Sequence, residues 1–468
     1  MQRFGYALVV LGALASGASA ADNKQPNVIV ILIDDVGYGE LGFQGNKEIP
    51  TPHMDSIATN GVRFTDGYVA ATYCSPCRAG LLTGRYPTRF GHEFNGGGPS
   101  GGKDFGLPVT ERTLANRLKD LGYATACVGK WHLGHGEPFI ATARGFDEFY
   151  GTVANTPFFN PPNFIDTRKS KEITPIQDDT FYTTEAYAAR AVDWISRQKG
   201  KPFFLYLAFN AQHAPLQATK KYLDRFPHIA DEKRRTFAAM MSALDDAVGQ
   251  VLAKVRELGQ EENTLIVLFS DNGGPTAQTT SKNDPLRGFK ATTLEGGIRV
   301  PFCMQWKGRI PAGSTYHFPI LNLDILPTCV VAAGGTIDPA WKLDGVDLMP
   351  YLTGQNKDRP HETIYWRFGE QWAIRKGDYK LVANRIDGVD KILLYNLKDD
   401  IGEAKDLAAI MPEKVKELKA DWDRWNAEQE KPRWQPAMNP KKKKKDNPNT
   451  ADDEPPVQPR GGQGASNR

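Results

Sequence analysis

The run Val28-Ile29-Val30-Ile31-Leu32-Ile33-Asp34-Asp35, entered through Pro26-Asn27, sets the architecture. Six apolar residues without a polar break fit a strand buried on both faces, the pattern of a parallel sheet covered by helices. The run stops at two acids, and Gly37 and Gly39 follow. Outward from it the pattern repeats. Thr51-Pro52 opens a short helix that Gly61 ends, and Thr110 is the expected cap of a helix over 111–121 with Gly122 as its stop. A strand is predicted at 123–128, a helix at 183–197 and a strand at 203–209. Phe237, Met240, Met241, Leu244, Val248, Val251 and Val255 then share one face of a long helix, and a strand follows at 265–269. Alternating strands and helices define an α/β domain with a large, mostly parallel sheet sandwiched by helices.

The polar clusters fall just after predicted strands: Asp34 and Asp35, Lys130 and His132, His213, and Asp271 with Asn272. In open α/β sheets, sites lie beyond the carboxyl ends of the strands, so these residues are expected to converge on one edge.

The 468 residues suit one large domain and a smaller one. The formal net charge is +3, and residues 441–468 hold seven Lys/Arg against four Asp/Glu, so the tail carries the whole surplus. A neutral body argues against nucleic acid or an anionic membrane as partner. Arg3, the apolar run 7–15 and Ala18-Ser19-Ala20 form an export signal over 1–20, too short to span a bilayer. The expected mature chain is periplasmic or secreted, with no stable membrane anchor. It divides into a catalytic domain over 21–354, an α+β domain over 355–431 and a disordered basic tail over 432–468. The α+β domain shows short strands near 372–375, 379–382 and 392–395 and a helix over 412–428.

The chemistry centres on Cys74-Ser75-Pro76-Cys77-Arg78-Ala79-Gly80-Leu81-Leu82-Thr83-Gly84-Arg85. Five cysteines, at 74, 77, 127, 303 and 329, form no even disulfide framework. Cys74 and Cys77 have the spacing of a redox pair or half a zinc site, but no second pair at zinc spacing exists. The run matches the signature Cys-x-Pro-x-Arg with a Leu-Thr-Gly-Arg ending, and Gly129-Lys130-Trp131-His132-Leu133-Gly134 matches a second signature. The chain thereby resembles the sulfatase family. Its region 270–301, with Thr293-Leu294-Glu295-Gly296-Gly297, looks most like the arylsulfatase A and N-acetylgalactosamine-6-sulfatase branch.

The resemblance implies an alkaline-phosphatase-like α/β fold with a small C-terminal α+β domain. It implies that a formylglycine-generating maturation enzyme oxidises Cys74 to an aldehyde. One hydroxyl of the hydrated aldehyde attacks sulfur, and the other expels the sulfate afterwards, which is covalent catalysis with a built-in exit. Asp34, Asp35, Asp271 and Asn272 are an all-oxygen set suited to Ca²⁺ or Mg²⁺. The resemblance implies one calcium ion, shared with residue 74. Arg78 would steady the hydroxyls, and Lys130 and Lys290 would hold sulfate. His132 would take a proton from the second hydroxyl, and His213, with Lys290 as a second candidate for the same role, would give one to the leaving alcohol. The implied substrate is a sulfated carbohydrate.

Other residues carry weaker signals. Cys77 and Cys127 read as packing residues. Arg89, His92, Glu93 and Asn95 fit substrate contacts or structural roles, and Phe146, Phe149, Tyr150, Phe158, Phe159 and Phe164 fit sugar stacking or packing. His135 stays unassigned. The glycine-rich stretch 96–102 lacks the Gly-Lys-Ser/Thr ending of a phosphate cradle. Two rival classes remain: a phosphatase with two zinc ions and a Ser or Thr nucleophile, and a non-catalytic binding protein. Cysteine at position 74 and ligands for one hard cation oppose the first, and the full complement of site residues opposes the second.

Overall fold

The computed structural model describes residues 24–96, 105–198, 200–386 and 389–434. The expected signal over 1–20, all but the first residue of 96–102, and the chain beyond 434 lie outside the described residues. The strands in chain order are β1 (Asn27–Ile33), β2 (Val62–Phe64), β3 (Gly67–Tyr68), β4 (Ala124–Gly129), β5 (Glu148–Thr152), β6 (Phe164–Asp166), β7 (Phe203–Ala208) and β8 (Thr264–Ser270). They continue with β9 (Phe302–Gln305), β10 (Ser314–Tyr316), β11 (Ile320–Leu321), β12 (Thr363–Phe368), β13 (Gln371–Lys376), β14 (Tyr379–Ile386) and β15 (Val389–Asn396).

Nine strands form one sheet in the order β10-β2-β9-β8-β1-β7-β4-β5-β6. β1 lies at its centre, parallel to both neighbours, with Val28 opposite Phe204 on one side and Leu265 on the other. Antiparallel pairing enters at β9 and β6, so the sheet is mixed and mostly parallel. Alternate side chains of β1 feed two cores. Val28, Val30 and Leu32 pack with Phe204, Val267 and Leu81 on one face. Ile29, Ile31 and Ile33 pack with Leu205, Ile266 and Met241 of the helix Glu232–Glu257 on the other. Burying each such side chain stabilises the fold by ~1.5–3 kcal/mol, and Leu32→Ala would cost roughly 2–5 kcal/mol.

One helix start differs from expectation. The helix following Thr110 begins at Leu114, not 111, and Thr113 is its cap. The Thr113 hydroxyl accepts the Asn116 N–H at 3.2 Å while Asn116 Oδ1 accepts the Thr113 N–H at 3.0 Å. This reciprocal box fixes the start, and Glu111 is instead drawn to Arg85 at 2.7 Å.

The C-terminal unit is an antiparallel sheet in the order β12-β13-β14-β15, one strand more than the sequence reading. The helix Pro412–Ala427 covers it through Leu418, Trp422 and Trp425, with Trp422 stacked on Trp372 at 4.4 Å. Their core is continuous with Tyr68, Leu321 and Leu323 of the large domain. Beside this seam lies a buried charge cluster. Asp66 pairs with Arg299 and Arg375 at 2.9 and 2.6 Å, and Lys380 pairs with Glu295 and Glu403 at 2.9 and 2.8 Å. The first residues of the expected tail are anchored: Arg433 Nε donates to the Phe90 carbonyl at 2.9 Å and Trp434 Nε1 to that of Phe94 at 2.8 Å.

Candidate active site

The four central strands, β8, β1, β7 and β4, deliver their following residues to one edge of the sheet. Hydrogen bonds just past the strand ends hold them in line: Asp34 N–H to Ala211 O at 2.9 Å, Asp271 N–H to Ile33 O at 3.0 Å, Lys130 N–H to Ala208 O at 2.7 Å. Gly129 has φ 116°, and a Cβ there would sit 1.9 Å from Ala208 O, so only glycine lets β4 pass β7 this closely. Asp35 and His132 adopt φ of 61° and 55°, the left-handed region that non-glycine residues enter at a cost of ~1–2 kcal/mol. Such strain persists where the surroundings over-determine it, and it turns both side chains out of the strand direction.

The helix Cys74–Thr83 is buried along its whole length and brings Cys74 and Arg78 to the same edge. Cys74 Sγ lies 3.5 Å from Asp34 Oδ1. One ligand atom each from Asp34, Asp35, Cys74 and Asp271 lies within 4.8 Å of the others. Asn272 Nδ2 donates to Asp35 Oδ1 at 2.7 Å, while its Oδ1 is buried with no hydrogen-bond partner among the described residues. Three carboxylates and an orphaned amide oxygen fit a hard cation that takes oxygen ligands. All five cysteines are buried and none is bonded to another, so Cys74 and Cys77 form no bridge.

Three cations balance the three carboxylates. Arg78 Nη2 lies 2.8 Å from Asp271 and 3.3 Å from Asp34, and its Nη1 donates to the Lys130 carbonyl at 2.7 Å. The guanidinium is thus held by two carboxylates and the Lys130 carbonyl, within electrostatic reach of residue 74. Lys130 Nζ meets Asp34 at 2.5 Å, and Lys290 Nζ meets Asp35 at 3.0 Å. Burial opposes the Asp34 charge, yet Lys130 and Arg78 outweigh it and hold the carboxyl well below its usual range. Asp271 moves the other way, raised by burial and then by the Asp34 charge. Burial, with Asp34 next, also pushes the Cys74 thiol well up, so an unmodified thiol here stays protonated.

The two histidines flank this cluster. His132 is fully buried, and both ring nitrogens are without a hydrogen-bond partner among the described residues. Burial, then Lys130 and Arg78, hold it well below its ordinary pKa, leaving a neutral imidazole able to accept a proton. His213 Nδ1 donates to the Ala214 carbonyl at 2.7 Å, which leaves Nε2, 3.7 Å from Asp35 Oδ2, as the nitrogen facing the cluster.

The structure thus brings together every residue named from the signatures. It engages the weaker candidates in structural contacts, some of them next to residue 74. Arg89 is paired with Asp344 at 2.7 Å, Glu93 with Arg367 at 2.7 Å, and Asn95 Oδ1 accepts the Ser75 N–H at 2.9 Å. His92 Nε2 lies 2.7 Å from Ser75 Oγ, whose proton goes to the His132 carbonyl at 2.7 Å. Ser75, a free position in the signature, therefore ties the Cys74 helix to the strained His132 peptide. No spacing rule points to it. Phe146, Phe149, Phe158 and Phe164 are buried core, and Arg190 covers Tyr150 at 3.9 Å. His135 is exposed.

This constellation on this fold defines a sulfatase. The family model described as Sulfatase matches residues 26–335, and one described as N-sulphoglucosamine sulphohydrolase, C-terminal, matches 289–427. The chain belongs to the sulfatase family and is an enzyme of that class. It is 33% identical to human arylsulfatase A over 88% of this chain and 89% of that one. It is 34% identical to dog N-acetylgalactosamine-6-sulfatase over 80% and 74%. Among solved structures it resembles Ps i-CgsB in complex with k-i-k-neocarrahexaose, with TM-score 0.81, 34% identity, and coverage of 88% of this chain and 95% of that one. The alkaline-phosphatase-like architecture expected from the resemblance is the one observed. No helix among the described residues is long and apolar enough to cross a membrane.

Proposed function

We propose that this enzyme hydrolyses the sulfate ester of a galactose-type carbohydrate, with the formylglycine derived from Cys74 as nucleophile and one calcium ion in the carboxylate cluster. The observation that carries the reading is the position of Cys74. Its Sγ shares a 4.8 Å cluster with three carboxylates at the start of a buried helix, and both histidines border that cluster. The sugar class rests on the relatives named for N-acetylgalactosamine sulfate and on the one captured with a neocarrahexaose.

Asp34, Asp35, Asp271, Asn272 and residue 74 would hold the ion, which when bound supplies positive charge beside the sulfate group. Three carboxylates already face three cations, so a bound divalent ion leaves the site positive and suited to a sulfate ester anion. Lys130 and Lys290 hold sulfate oxygens, and Arg78 fixes Asp34 and Asp271 in place. As one hydroxyl of residue 74 attacks sulfur and the sulfur–oxygen bond to the sugar breaks, His213, as the imidazolium, gives its Nε2 proton to the departing sugar oxygen, and a carboxylate of the cluster takes the proton of the attacking hydroxyl. Neutral His132 then removes a proton from the second hydroxyl of residue 74, which expels sulfate. The maturation enzyme converts Cys74, and the N-terminal signal sends the chain to the periplasm or beyond the cell.

The test is inorganic sulfate released from sulfated galactan and glycosaminoglycan oligosaccharides in calcium buffer. The Cys74 peptide mass must first show the aldehyde. Release from a galactose-type member supports the reading. Converted enzyme that releases sulfate only from other sugars overturns the substrate class, and none from any member overturns carbohydrate hydrolysis.

A further inference from the structure

The C-terminal sheet reaches the edge of the active site through its β12–β13 hairpin, where Phe368 stacks on Tyr73 at 5.3 Å and Gln371 meets the Lys290 loop. Lys290 sits in a loop that closes on itself: the Gly296 N–H donates to Arg287 O at 2.7 Å and the Thr292 N–H to Phe289 O at 3.1 Å. A Cβ on Gly297 would fall 2.1 Å from Thr292 O, so the two sides of the loop touch backbone to backbone. Ala291, next to Lys290, has φ 66°, a conformation a residue with a Cβ keeps only when its surroundings impose it.

Two contacts impose it. The Ala291 N–H donates to Thr72 O at 3.1 Å, two residues before Cys74. The Ala291 carbonyl accepts from Gln371 Nε2 at 3.1 Å. Only a donor can meet that carbonyl, which sets the orientation of the Gln371 amide. Gln371 opens β13, at the tip of the β12–β13 hairpin. The next residue, Trp372, receives the Thr293 hydroxyl on its carbonyl at 3.4 Å. Farther along, Glu403 Oε2 accepts the Glu295 N–H at 2.7 Å, and Arg287 Nη1 donates to the Glu403 carbonyl at 3.0 Å. Both flanks of the Lys290 loop are therefore held by residues after 370.

We propose that Gln371 is a positioning residue for Lys290: by fixing the left-handed Ala291 peptide it sets where the ammonium meets the sulfate group. This rests on reading Lys290 as a sulfate-binding residue. A charge displaced by about 1 Å at such a site can reduce the rate on the order of a hundredfold, so one well-placed tether has a measurable effect.

The experiment compares Gln371→Met and Thr293→Val in the wild-type and Lys290→Ala backgrounds. It measures kcat/KM for sulfate release, calorimetric binding of inorganic sulfate, and thermal unfolding. Gln371→Met keeps the side-chain length and removes the donor. Each substitution is expected to lower kcat/KM about fivefold or more and to weaken sulfate binding, with little change in unfolding. In the Lys290→Ala background neither should lower kcat/KM further, because the residue they act through is gone. Equal losses in both backgrounds, or no loss in wild type, overturn the positioning role. If Lys290→Ala itself leaves sulfate binding and turnover unchanged, the reading of Lys290 fails at that separate point, and the positioning role with it.

Discussion

Two buried clusters in this molecule have the same formal charge and different purposes. At the strand ends, Asp34, Asp35 and Asp271 face Arg78, Lys130 and Lys290. At the seam between the sheets, Asp66, Glu295 and Glu403 face Arg299, Arg375 and Lys380. Each is three against three, and each removes ions from water at considerable cost. The seam cluster pairs its charges internally, with Glu403 Oε1 held, among the described residues, only by the Lys380 ammonium at 2.8 Å, and Tyr68 adds a hydroxyl to Glu295 at 2.6 Å. The strand-end cluster leaves atoms over: both nitrogens of His132 and Oδ1 of Asn272. Buried charge alone does not mark a catalytic centre. What sets the strand-end cluster apart among the described residues is a buried imidazole, His132, with both nitrogens open beside it.

The comparison is sharpened first by removing residue 74. Cys74→Ala should abolish sulfate release while leaving the unfolding midpoint near that of the wild type, and retained turnover would remove the proposed nucleophile. Next is the ion. Dialysis against a calcium chelator should stop turnover and lower the unfolding temperature, both restored by calcium. Calorimetry should count one calcium per chain, with weaker binding in Asn272→Ala. A chelated protein with unchanged stability and no calcium uptake would place the two clusters in one class. Third, Lys380→Met leaves Glu295 and Glu403 without their shared cation and should cost about 3–5 kcal/mol in urea unfolding. A neutral result there would mean that the seam is no structural joint.

The smallest effect concerns His361, whose Nε2 lies 2.7 Å from Asp324 Oδ1. Burial opposes its protonation, but Asp324 outweighs burial and raises its pKa above the ordinary 6.5. A raised histidine contributes stability that is complete below pH 6.5 and is lost as pH rises through the folded-state value. His361→Gln should therefore lower the unfolding midpoint at pH 6 more than at pH 9, and parallel curves would contradict the pairing.

Much of the site was legible because its chemistry is written in contiguous signatures placed after apolar runs. The strand at 28–33 announced itself through unbroken hydrophobicity, and the edge carrying Asp34, Lys130, His213 and Asp271 followed from topology alone. What stayed hidden depends on contacts distant in sequence. The antiparallel strands β9 and β6 are short and carry no periodic mark of their direction. Thr113 outcompeted Thr110 through an asparagine three residues on, a side-chain reciprocity finer than the hydrophobic pattern. Arg78 was expected beside the nucleophile, but its pairing with Asp34 and Asp271, distant in sequence, carries no mark in the signature. The substrate pocket has no signature at all.

The central place of β1 has a consequence for synthesis. Its side-by-side partners lie 176 residues later in β7 and 237 residues later in β8. At roughly 5–20 residues per second, the last of them leaves the ribosome on the order of 10–50 s after β1. Until β7 emerges the apolar run 28–33 has two unpaired edges, and one edge stays open until β8 follows; such edges template aggregation. Yield at raised temperature should thus depend on holdase chaperones more than on the stability of the finished enzyme.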